Sequence, residues 1–421
     1  MRVYEDKQPN SPARLIPLSA EKSIQVKAVK ALIGPDLEPL DNVTIIIKQG
    51  MIQEIYTHKR NDLPATVESM PCYELPPGST LLPAFTDAHI HLALNGNNTG
   101  RKGSKSFNEA EKVDHCLEQI ESRLALMAGK GIGLIRDGGD CKARNLQFKK
   151  EYLINGGKAP QIIATGEALR PSLGYGGFLG SGYSNRRELI ELLSRNINNG
   201  ADQVKVIISG IVSFYSYGKV GGRLMLRDDL DYIVKTAHFH GLKVMAHASS
   251  HEAVALAVAA GVDYVEHGYF TDPDLLKEMA EKEIAWVPTV LPLAVQLTKS
   301  FFPRWTKVEA DIIKRTMEEQ LRLINLAAAN NLLLGLGTDA RAVGVGYGDS
   351  LYREMLLYRS AGVSEKRIIK SATVINAAVL GLSHEAGTIE KGKKASLIAV
   401  EGNPLQDISV LQQPLLHFMP A

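Results

Sequence analysis

Cysteine is scarce in this chain of 421 residues, and the three cysteines, Cys72, Cys116 and Cys141, show no CxxC spacing. Neither a thiolate zinc site nor a disulfide framework is indicated, so we expect reduced thiols in a cytoplasmic protein. Uninterrupted apolar runs of about 18 residues, which a membrane span would need, are also missing. The N-terminal segment MRVYEDKQPNSPARLIPL lacks the apolar core of a secretory signal, and no such signal is expected.

A large excess of charge of either sign is absent as well. The chain has 48 basic and 46 acidic residues, which gives a formal net charge of +2. This balance argues against a nucleic-acid groove and against a polybasic membrane surface. With 45% hydrophobic residues the chain can bury a large core. We therefore expect a homo-oligomeric protein that acts on a small molecule, with no nucleic-acid or membrane partner.

The middle of the chain, residues 81–385, alternates short apolar runs with amphipathic stretches. This alternation is typical of parallel βα units, and eight runs predict an α/β fold, a closed (β/α)8 TIM barrel. An open doubly wound sheet is the alternative, although no Gly-rich phosphate loop follows the first strand. The eight candidate strands are residues 81–91, 133–137, 161–165, 203–209, 243–248, 264–267, 285–290 and 334–339.

The two ends of the chain are rich in β-type sequence. Val- and Ile-rich runs at 23–31, 42–48 and 50–56 have a counterpart at 395–400. They predict one small β-sandwich domain formed from both chain ends. Residues 1–80 and 386–421 would then form this domain, and residues 81–385 would form the barrel.

The motif Asp87-Ala-His89-Ile-His91 ends the first barrel strand. Side chains at positions i and i+2 of a strand share one face, so His89 and His91 project together. They lie near the carboxyl end of the strand, where barrel active sites are built. Two imidazoles in this arrangement can bind one metal ion, although the pattern alone also occurs by chance.

Three later strands end in further potential ligands, His247, His267 and Asp339. For any single histidine, a hydrogen-bonded position in the core is the simpler interpretation. Four histidines and one aspartate at corresponding strand ends instead indicate a metal site with nitrogen and oxygen ligands.

Lys205 lies in the strand Gln203-Val-Lys-Val-Ile-Ile-Ser209, where alternation places it inside the barrel. Desolvation would lower its pKa and expose a nucleophilic amine. Such an amine can combine with CO₂, and the resulting carbamate could bridge two metal ions. The alternative is a lysine that reaches the barrel rim or pairs with an acid, and the strand pattern does not decide between them.

The chain resembles the amidohydrolase superfamily over nearly its whole length. The order and spacing are most similar to the branch that contains imidazolonepropionase and the prolidase-like, Xaa-Arg, molinate and phenylurea hydrolases. The matching motifs are PGSTLLPAFTDAHIHL (77–92), GIGLIRDGG (131–139), GADQVKVIISG (200–210), KVMAHA (243–248), GVDYVEHG (261–268), GLGTDA (335–340) and GTIEKGKKASLIAV (387–400).

This resemblance implies a centre of two divalent metal ions. In it, His89, His91 and Asp339 would bind the more buried ion. His247 and His267 would bind the second ion, and carboxylated Lys205 would bridge the two. Imidazolonepropionase uses one metal and lacks this lysine, so Lys205 favours the two-metal hydrolases. Zinc is the favoured metal for such ligands, with Mn, Fe and Co as alternatives.

The implied reaction is hydrolysis of an amide-type C–N bond in a dipeptide, N-acyl amino acid, carbamate or urea. The metals would activate water, and Asp339 would carry the proton to the leaving nitrogen. A cyclic-amide hydrolase or deaminase of the imidazolonepropionase type is an alternative. So are a phosphotriester or lactone hydrolase and a metal-poor binding protein of the same fold.

Four residues are candidates for substrate contact. Tyr175 stands in the loop after the third strand, which lacks the histidine that many relatives carry there. Tyr215 and Tyr217 follow the fourth strand, and His251 lies four residues after His247. Loop aromatics are commonly ordinary surface residues, and His251 could simply begin a helix, so both interpretations stay open.

Overall fold

The computed structural model of the protein describes residues 12–18, 23–57, 64–94, 113–154 and 160–420. Within them the chain mixes fifteen β-strands with twelve α-helices, which confirms the predicted α/β class. The first eleven residues, where most of the segment inspected for a secretory signal falls, lie outside this range. None of the described helices is both long enough and apolar enough to span a membrane.

The bounds of these elements follow the chain. The strands are β1 Arg14–Leu18, β2 Ser23–Ile33, β3 Glu38–Lys48, β4 Met51–Thr57, β5 Cys72–Glu74, β6 Ser79–Pro83, β7 Phe85–Ile90, β8 Ile132–Asp137, β9 Gln161–Ala164, β10 Gln203–Ile207, β11 Lys243–Ala248, β12 Tyr264–His267, β13 Ala285–Val287, β14 Leu397–Glu401 and β15 Pro414–Pro420. The helices are α1 Ala65–Glu68, α2 Val113–Ala128, α3 Arg144–Ile154, α4 Arg186–Asn198, α5 Arg227–Phe239, α6 His251–Ala260, α7 Pro273–Glu281, α8 Leu291–Gln296, α9 Lys307–Ala329, α10 Asp349–Ser360, α11 Glu365–Lys370 and α12 Asn376–Val379.

Strands from both chain ends form one mixed sheet in the order β1-β15-β14-β6-β2-β3-β4, with β5 beside β2. β14 runs antiparallel to β6, with Ile398 opposite Leu82. A separate cluster of buried apolar side chains packs on this sheet, and its members Val26 and Phe418 are fully buried. The two chain ends therefore share one sheet and one core. Its description as a β-sandwich, and the bounds at residues 80 and 385, stay predictions.

Seven of the eight candidate strands in the middle of the chain are parallel strands. β7, β8 and β9 form one sheet, and β10, β11, β12 and β13 form another. The predicted first strand, 81–91, is divided, because its first part belongs to β6 in the small sheet. The break falls at Ala84, whose amide donates to Ser396 O at 2.9 Å, so the chain leaves the small sheet and enters β7.

The eighth candidate, 334–339, is irregular rather than a regular strand, but it contacts two strands. The amide of Gly335 donates to Trp286 O in β13 at 2.8 Å. The amide of Asp339 donates to His89 O in β7, also at 2.8 Å. On the other side, the amide of Leu169 donates to Lys205 O in β10 at 2.8 Å, just beyond β9. These contacts link the edges of the two parallel sheets.

Helices follow the strands closely and fix the strand ends. Ser250, directly after β11, caps α6 because its hydroxyl accepts a hydrogen bond from the amide of Ala253 at 3.2 Å. Thr306 and Glu309 form a capping box at the start of α9, a helix of 23 residues. The carboxyl end of β11 is thus held between its sheet neighbours and the first turn of a capped helix.

Candidate metal centre

All six predicted ligands lie in the wall of one cavity. They are His89 and His91 at β7, Lys205 in β10, His247 in β11, His267 at the end of β12 and Asp339 in the irregular segment. The imidazole rings contact one another in succession. Their centroids are 5.4 Å apart for His89 and His91, 5.1 Å for His89 and His267, and 4.4 Å for His247 and His267.

Three of these residues form a compact group of potential ligands. One nitrogen or oxygen atom from each of His89, His91 and Asp339 lies within 4.8 Å of the others. Asp339 Oδ1 is 3.5 Å from His91 Nε2 and 3.7 Å from His89 Nε2. Two imidazole nitrogens and a carboxylate oxygen at this spacing are a donor set that suits zinc and similar divalent ions.

Hydrogen bonds leave one ring nitrogen of His91 and one of His247 available for a metal. His91 Nδ1 lies 3.0 Å from Gly139 O, and His247 Nε2 lies 3.1 Å from Gly210 O. A carbonyl only accepts, so each of these nitrogens donates its hydrogen and the opposite nitrogen keeps its lone pair. Burial lowers the pKa of His247 to about 3, and the positive Lys205 adds to this effect, so the ring is neutral.

His89 belongs to a buried chain of charged groups that the sequence analysis did not single out. Its Nδ1 donates to Glu266 Oε2 at 2.6 Å, and Arg136 Nη2 donates to Glu266 Oε1, also at 2.6 Å. Arg136 and Glu266 are both fully buried. Burial raises the pKa of Glu266, whereas the Arg136 charge opposes that rise. The signal in the sequence was a charged residue at the next-to-last position of each of two buried strands, β8 and β12.

Two of the ligand candidates have a left-handed backbone. In β12, simple alternation would place Glu266 and His267 on opposite faces. His267 instead has φ = 66° and Asp339 has φ = 52°, a region that residues other than glycine rarely adopt. Gly268 continues the turn, and a Cβ atom there would lie 2.5 Å from Trp286 Nε1. The strained turn brings His267 into the same cluster as His89, the histidine that donates to Glu266.

Asp87 connects β7 to the segment that carries Asp339. Its carboxylate accepts hydrogen bonds from the Thr338 amide at 3.0 Å and from the Thr338 hydroxyl at 2.7 Å. Burial raises the pKa of Asp87 to about 7. Asp87 is therefore a positioning residue, because it orders the residue directly before Asp339.

Lys205 is 1% exposed, and its Nζ has no hydrogen-bond partner among the described residues. It neither reaches the rim nor forms an ion pair with a described acid. Burial lowers the pKa of Lys205 to about 8. A buried amine without a partner is costly, so the position suits a group that gains partners when it is modified or ligated.

The cavity has a volume of about 630 Å³, which fits a small molecule. Beyond the six predicted ligands its wall is mainly apolar. The apolar side chains are those of Leu94, Phe178, Leu179, Ile211, Val212, Phe214, Pro292, Leu293, Ala342 and Val343. Polar or charged groups in the wall include Ser249, Gln296 and Arg341. The arrangement can therefore hold an apolar molecule with one end at the histidine cluster.

Tyr175, the first candidate for substrate contact, lines this cavity. Its ring stacks on that of His247 with centroids 5.5 Å apart, at an interplanar angle of 29°. Burial raises the pKa of Tyr175, so its phenol keeps its hydrogen and can donate. Its role in substrate binding stays a prediction that this position favours.

The other three candidates lie outside the cavity wall. The Tyr217 hydroxyl donates to Glu319 on α9, and Tyr215 is 67% exposed. His251 Nδ1 lies 3.4 Å from Asp272 Oδ2, and His251 is the first residue of α6. For these three residues a substrate role stays a prediction without support from their positions.

We expect Glu266→Gln to weaken metal binding, because the His89 ring loses the carboxylate that orients it. The neutral amide can no longer accept from both Arg136 and His89, so a buried cation loses its partner. Metal affinity should fall by about 10- to 100-fold. The free energy of unfolding should fall by about 3–5 kcal/mol, as for other broken buried ion pairs. Chelator competition and urea denaturation of metal-free protein measure the two effects.

A matched control is Glu278→Gln, because Glu278 forms an exposed ion pair with Lys282 on α7. Exposed pairs of this kind contribute less than about 1 kcal/mol. If Glu266→Gln bound metal as tightly as the Glu278→Gln protein, the assignment of Glu266 as a support for His89 would be wrong.

Comparison with known proteins identifies the family. The sequence profile of the amidohydrolase family matches residues 80–415. Ochratoxinase of Aspergillus niger is 24% identical over 448 aligned positions, covering 94% of this chain and 84% of its own. Imidazolonepropionase of Sphingopyxis alaskensis is 24% identical and covers 87% of this chain and 88% of its own. These relatives confirm the branch that the sequence motifs indicated.

Solved structures show the same fold. A Xaa-Pro dipeptidase with bound methionine superposes with a TM-score of 0.78 at 21% identity, over 93% of this chain and 97% of its own. Phenylurea hydrolase B superposes with a TM-score of 0.76 at 16% identity, over 94% and 96% of the two chains. The family match extends over most of the sequence and includes every residue of the cluster. The chain therefore belongs to the amidohydrolase family and is a hydrolase that acts on carbon–nitrogen bonds.

Proposed function

We propose that the protein is a metal-dependent hydrolase of amide-type C–N bonds in a dipeptide, N-acyl amino acid, carbamate or urea. One observation carries the proposal. His89, His91 and Asp339 form a compact donor group at the base of an apolar cavity. Around them lie two more histidines and a buried lysine whose Nζ has no hydrogen-bond partner within the described ranges.

The proposed centre contains two divalent metal ions, with zinc as the favoured metal. His89, His91 and Asp339 hold the first ion, and His247 and His267 hold the second. Lys205 would be carboxylated, because its neutral amine can add to CO₂ and release a proton, and the carbamate would hold both ions. The fit of these residues is supported by the lone pairs left on His91 and His247. It is also supported by the Nζ of Lys205, which has no partner in the part of the chain that the structure describes.

Bound metal ions would supply Lewis acidity for the carbonyl and lower the pKa of water at the site. The residues of the chain do the rest. Asp339 lines the cavity, its side chain is 20% exposed, and it accepts the proton of the attacking water. It then donates that proton to the leaving nitrogen, because an amine anion is a very poor leaving group. Glu266 and Gly139 O hold the rings of His89 and His91 in one orientation.

The proposal includes a closed barrel. The bridges of residues 334–340 to β13 and β7, and of Leu169 to β10, support an eight-membered ring of parallel segments. In such a ring the six residues would share one end, as barrel active sites do. The division into residues 1–80, 81–385 and 386–421 belongs to the same proposal.

A cyclic-amide hydrolase or deaminase of the imidazolonepropionase type is the second candidate, favoured by the similarity to that enzyme. The position of Lys205 argues for the first candidate, because a one-metal centre has no use for a bridging lysine. Hydrolysis of phosphotriesters or lactones on the same residues is a further possibility. Rates on matched panels of dipeptides, N-acyl amino acids, ureas, cyclic amides and phosphotriesters would separate the three.

We expect close to two metal ions per chain, and a chelator should abolish the activity reversibly. Elemental analysis of the active protein, before and after dialysis against chelator, measures both. A fully active protein with a single tightly bound ion would contradict the two-metal proposal and favour the imidazolonepropionase-like alternative.

A further inference from the structure

Arg341 is a cation in the cavity wall that the proposed reaction does not use. Its Nε donates to Leu94 O at 3.1 Å, and its guanidinium lies over the Tyr347 ring, 5.3 Å from the centroid. Among the residues that the structure describes, no acid forms an ion pair with it. The two terminal nitrogens of the fork therefore have no anionic partner in the described part of the wall.

The local backbone holds Arg341 in place at a conformational cost. Arg341 has φ = 84°, a left-handed value that an arginine rarely adopts. The turn is closed by its own amide, which donates to Val345 O at 3.0 Å, and by the Ala342 amide, which donates to Asp339 O at 2.8 Å. Strain of this kind persists where the surrounding structure requires one particular side-chain position.

The Tyr347 ring, over which the Arg341 guanidinium lies, is connected to the ligand cluster. The Tyr347 hydroxyl donates to His91 O at 2.7 Å, so the ring under the guanidinium is fixed relative to His91. Arg341 also lies two residues after Asp339 in the chain. A molecule that reaches the histidine cluster would therefore pass within the same small cavity as this guanidinium.

The composition of the rest of the wall indicates what Arg341 could bind. The side chains around it are mainly apolar, and the lysine in the wall, Lys205, is assigned to the metal bridge. A guanidinium fork matches a carboxylate in shape and charge, and it binds it with two parallel hydrogen bonds. An anionic group in an otherwise apolar ligand would find its strongest partner here.

We propose that Arg341 binds a free carboxylate of the substrate. The enzyme would then prefer C–N substrates that combine a carboxylate with an apolar group, such as N-acyl amino acids and dipeptides with apolar side chains. Neutral ureas and carbamates would be poor substrates. This inference rests on the proposed function for the identity of the scissile bond, but the carboxylate site itself can be tested without turnover.

The test uses two inert probes of the same shape, 4-phenylbutyrate and its uncharged counterpart 5-phenylpentan-2-one. Calorimetry measures their binding to the metal-loaded protein, and metal content is measured for every variant. We expect the acid to bind about 10- to 100-fold more tightly than the ketone, the range for hydrogen bonds to charged groups. Arg341→Gln should remove most of this preference, and Arg341→Lys should keep part of it.

The variants also separate Arg341 from the metals, which can bind carboxylates themselves. If the preference for the acid persisted in an Arg341→Gln protein with normal metal content, the metals would be the carboxylate site and the inference would be overturned. It would also be overturned if the wild-type protein bound both probes equally. The matched control is Arg187→Gln, because Arg187 is 89% exposed on α4 and should leave both affinities unchanged.

Hydrolysis of N-acetyl-L-phenylalanine and of its amide by the same proteins tests the two proposals separately. Turnover of both compounds without dependence on Arg341 would support the proposed function and contradict the carboxylate site. Selective binding of 4-phenylbutyrate through Arg341, with no hydrolysis of either amide, would support the carboxylate site and contradict the proposed function.

Discussion

Lys205→Ala is expected to lose bound metal and to reduce kcat by at least about 10³-fold, since Lewis-acid stabilisation by the metals is worth several kcal/mol. Lys205→Arg should be equally inactive, because a guanidinium does not form the bridging carbamate. Short carboxylic acids added to Lys205→Ala should restore part of both metal content and rate, since they can occupy the space of the missing side chain. Elemental analysis and kcat measured on the same samples test all three statements.

The carbamate itself can be observed. Protein prepared with ¹³C-labelled bicarbonate should show one labelled carbamate carbon by NMR, and Lys205→Ala should lose that signal. Lys235→Ala is the matched control, because Lys235 is exposed on α5 and should change neither metal nor rate. An active Lys205→Arg protein with two bound metals would contradict the bridging role.

Asp339→Asn should reduce activity by about 10²–10⁴-fold, the range for general acid–base catalysis, while it keeps much of the bound metal. The amide retains the size of the side chain and an oxygen ligand, but it is not a base. Because the lost interaction serves the transition state, the fall should appear in kcat rather than in KM. Steady-state kinetics with parallel metal analysis measure this.

The leaving group provides a sharper version of the Asp339 test. If Asp339 protonates the leaving nitrogen, the defect should be much smaller for 4-nitrophenyl esters, whose leaving group departs without protonation. Asp274→Asn is the control, because Asp274 is exposed in the first turn of α7. A metal-loaded Asp339→Asn protein with close to the wild-type rate on amides would assign the proton transfers to another group.

Local sequence patterns predicted much of the fold. Apolar runs between amphipathic stretches located seven parallel strands. The division of 81–91 could not be read from hydrophobicity, because β6 and β7 are both buried throughout. The difference lies in their partners, β14 for the first and β8 for the second, and such long-range pairing has no local signal.

Five of the candidate ligands were predicted from strand ends, whereas the role of Lys205 came from the family resemblance. The structure places all six in the wall of one cavity. What the sequence did not predict are the groups that orient them. Glu266 lies one residue before His267, so alternation alone separates the two. Only the left-handed φ of His267 allows both side chains to serve the same cluster. Arg341 was not singled out either, because an arginine that follows a predicted ligand is ordinarily a solvated residue.

The small sheet also constrains the order in which the protein forms. Its strand β14 lies between β6 and β15, and the Thr80 hydroxyl donates to Gly402 O, 322 positions later in the chain. During synthesis, the N-terminal strands must therefore wait with an unpaired, apolar edge until the end of the chain leaves the ribosome. Nascent chains halted before residue 397 should consequently depend on chaperones and be cleaved readily by proteases within residues 23–83, even where the metal-binding strands are already complete.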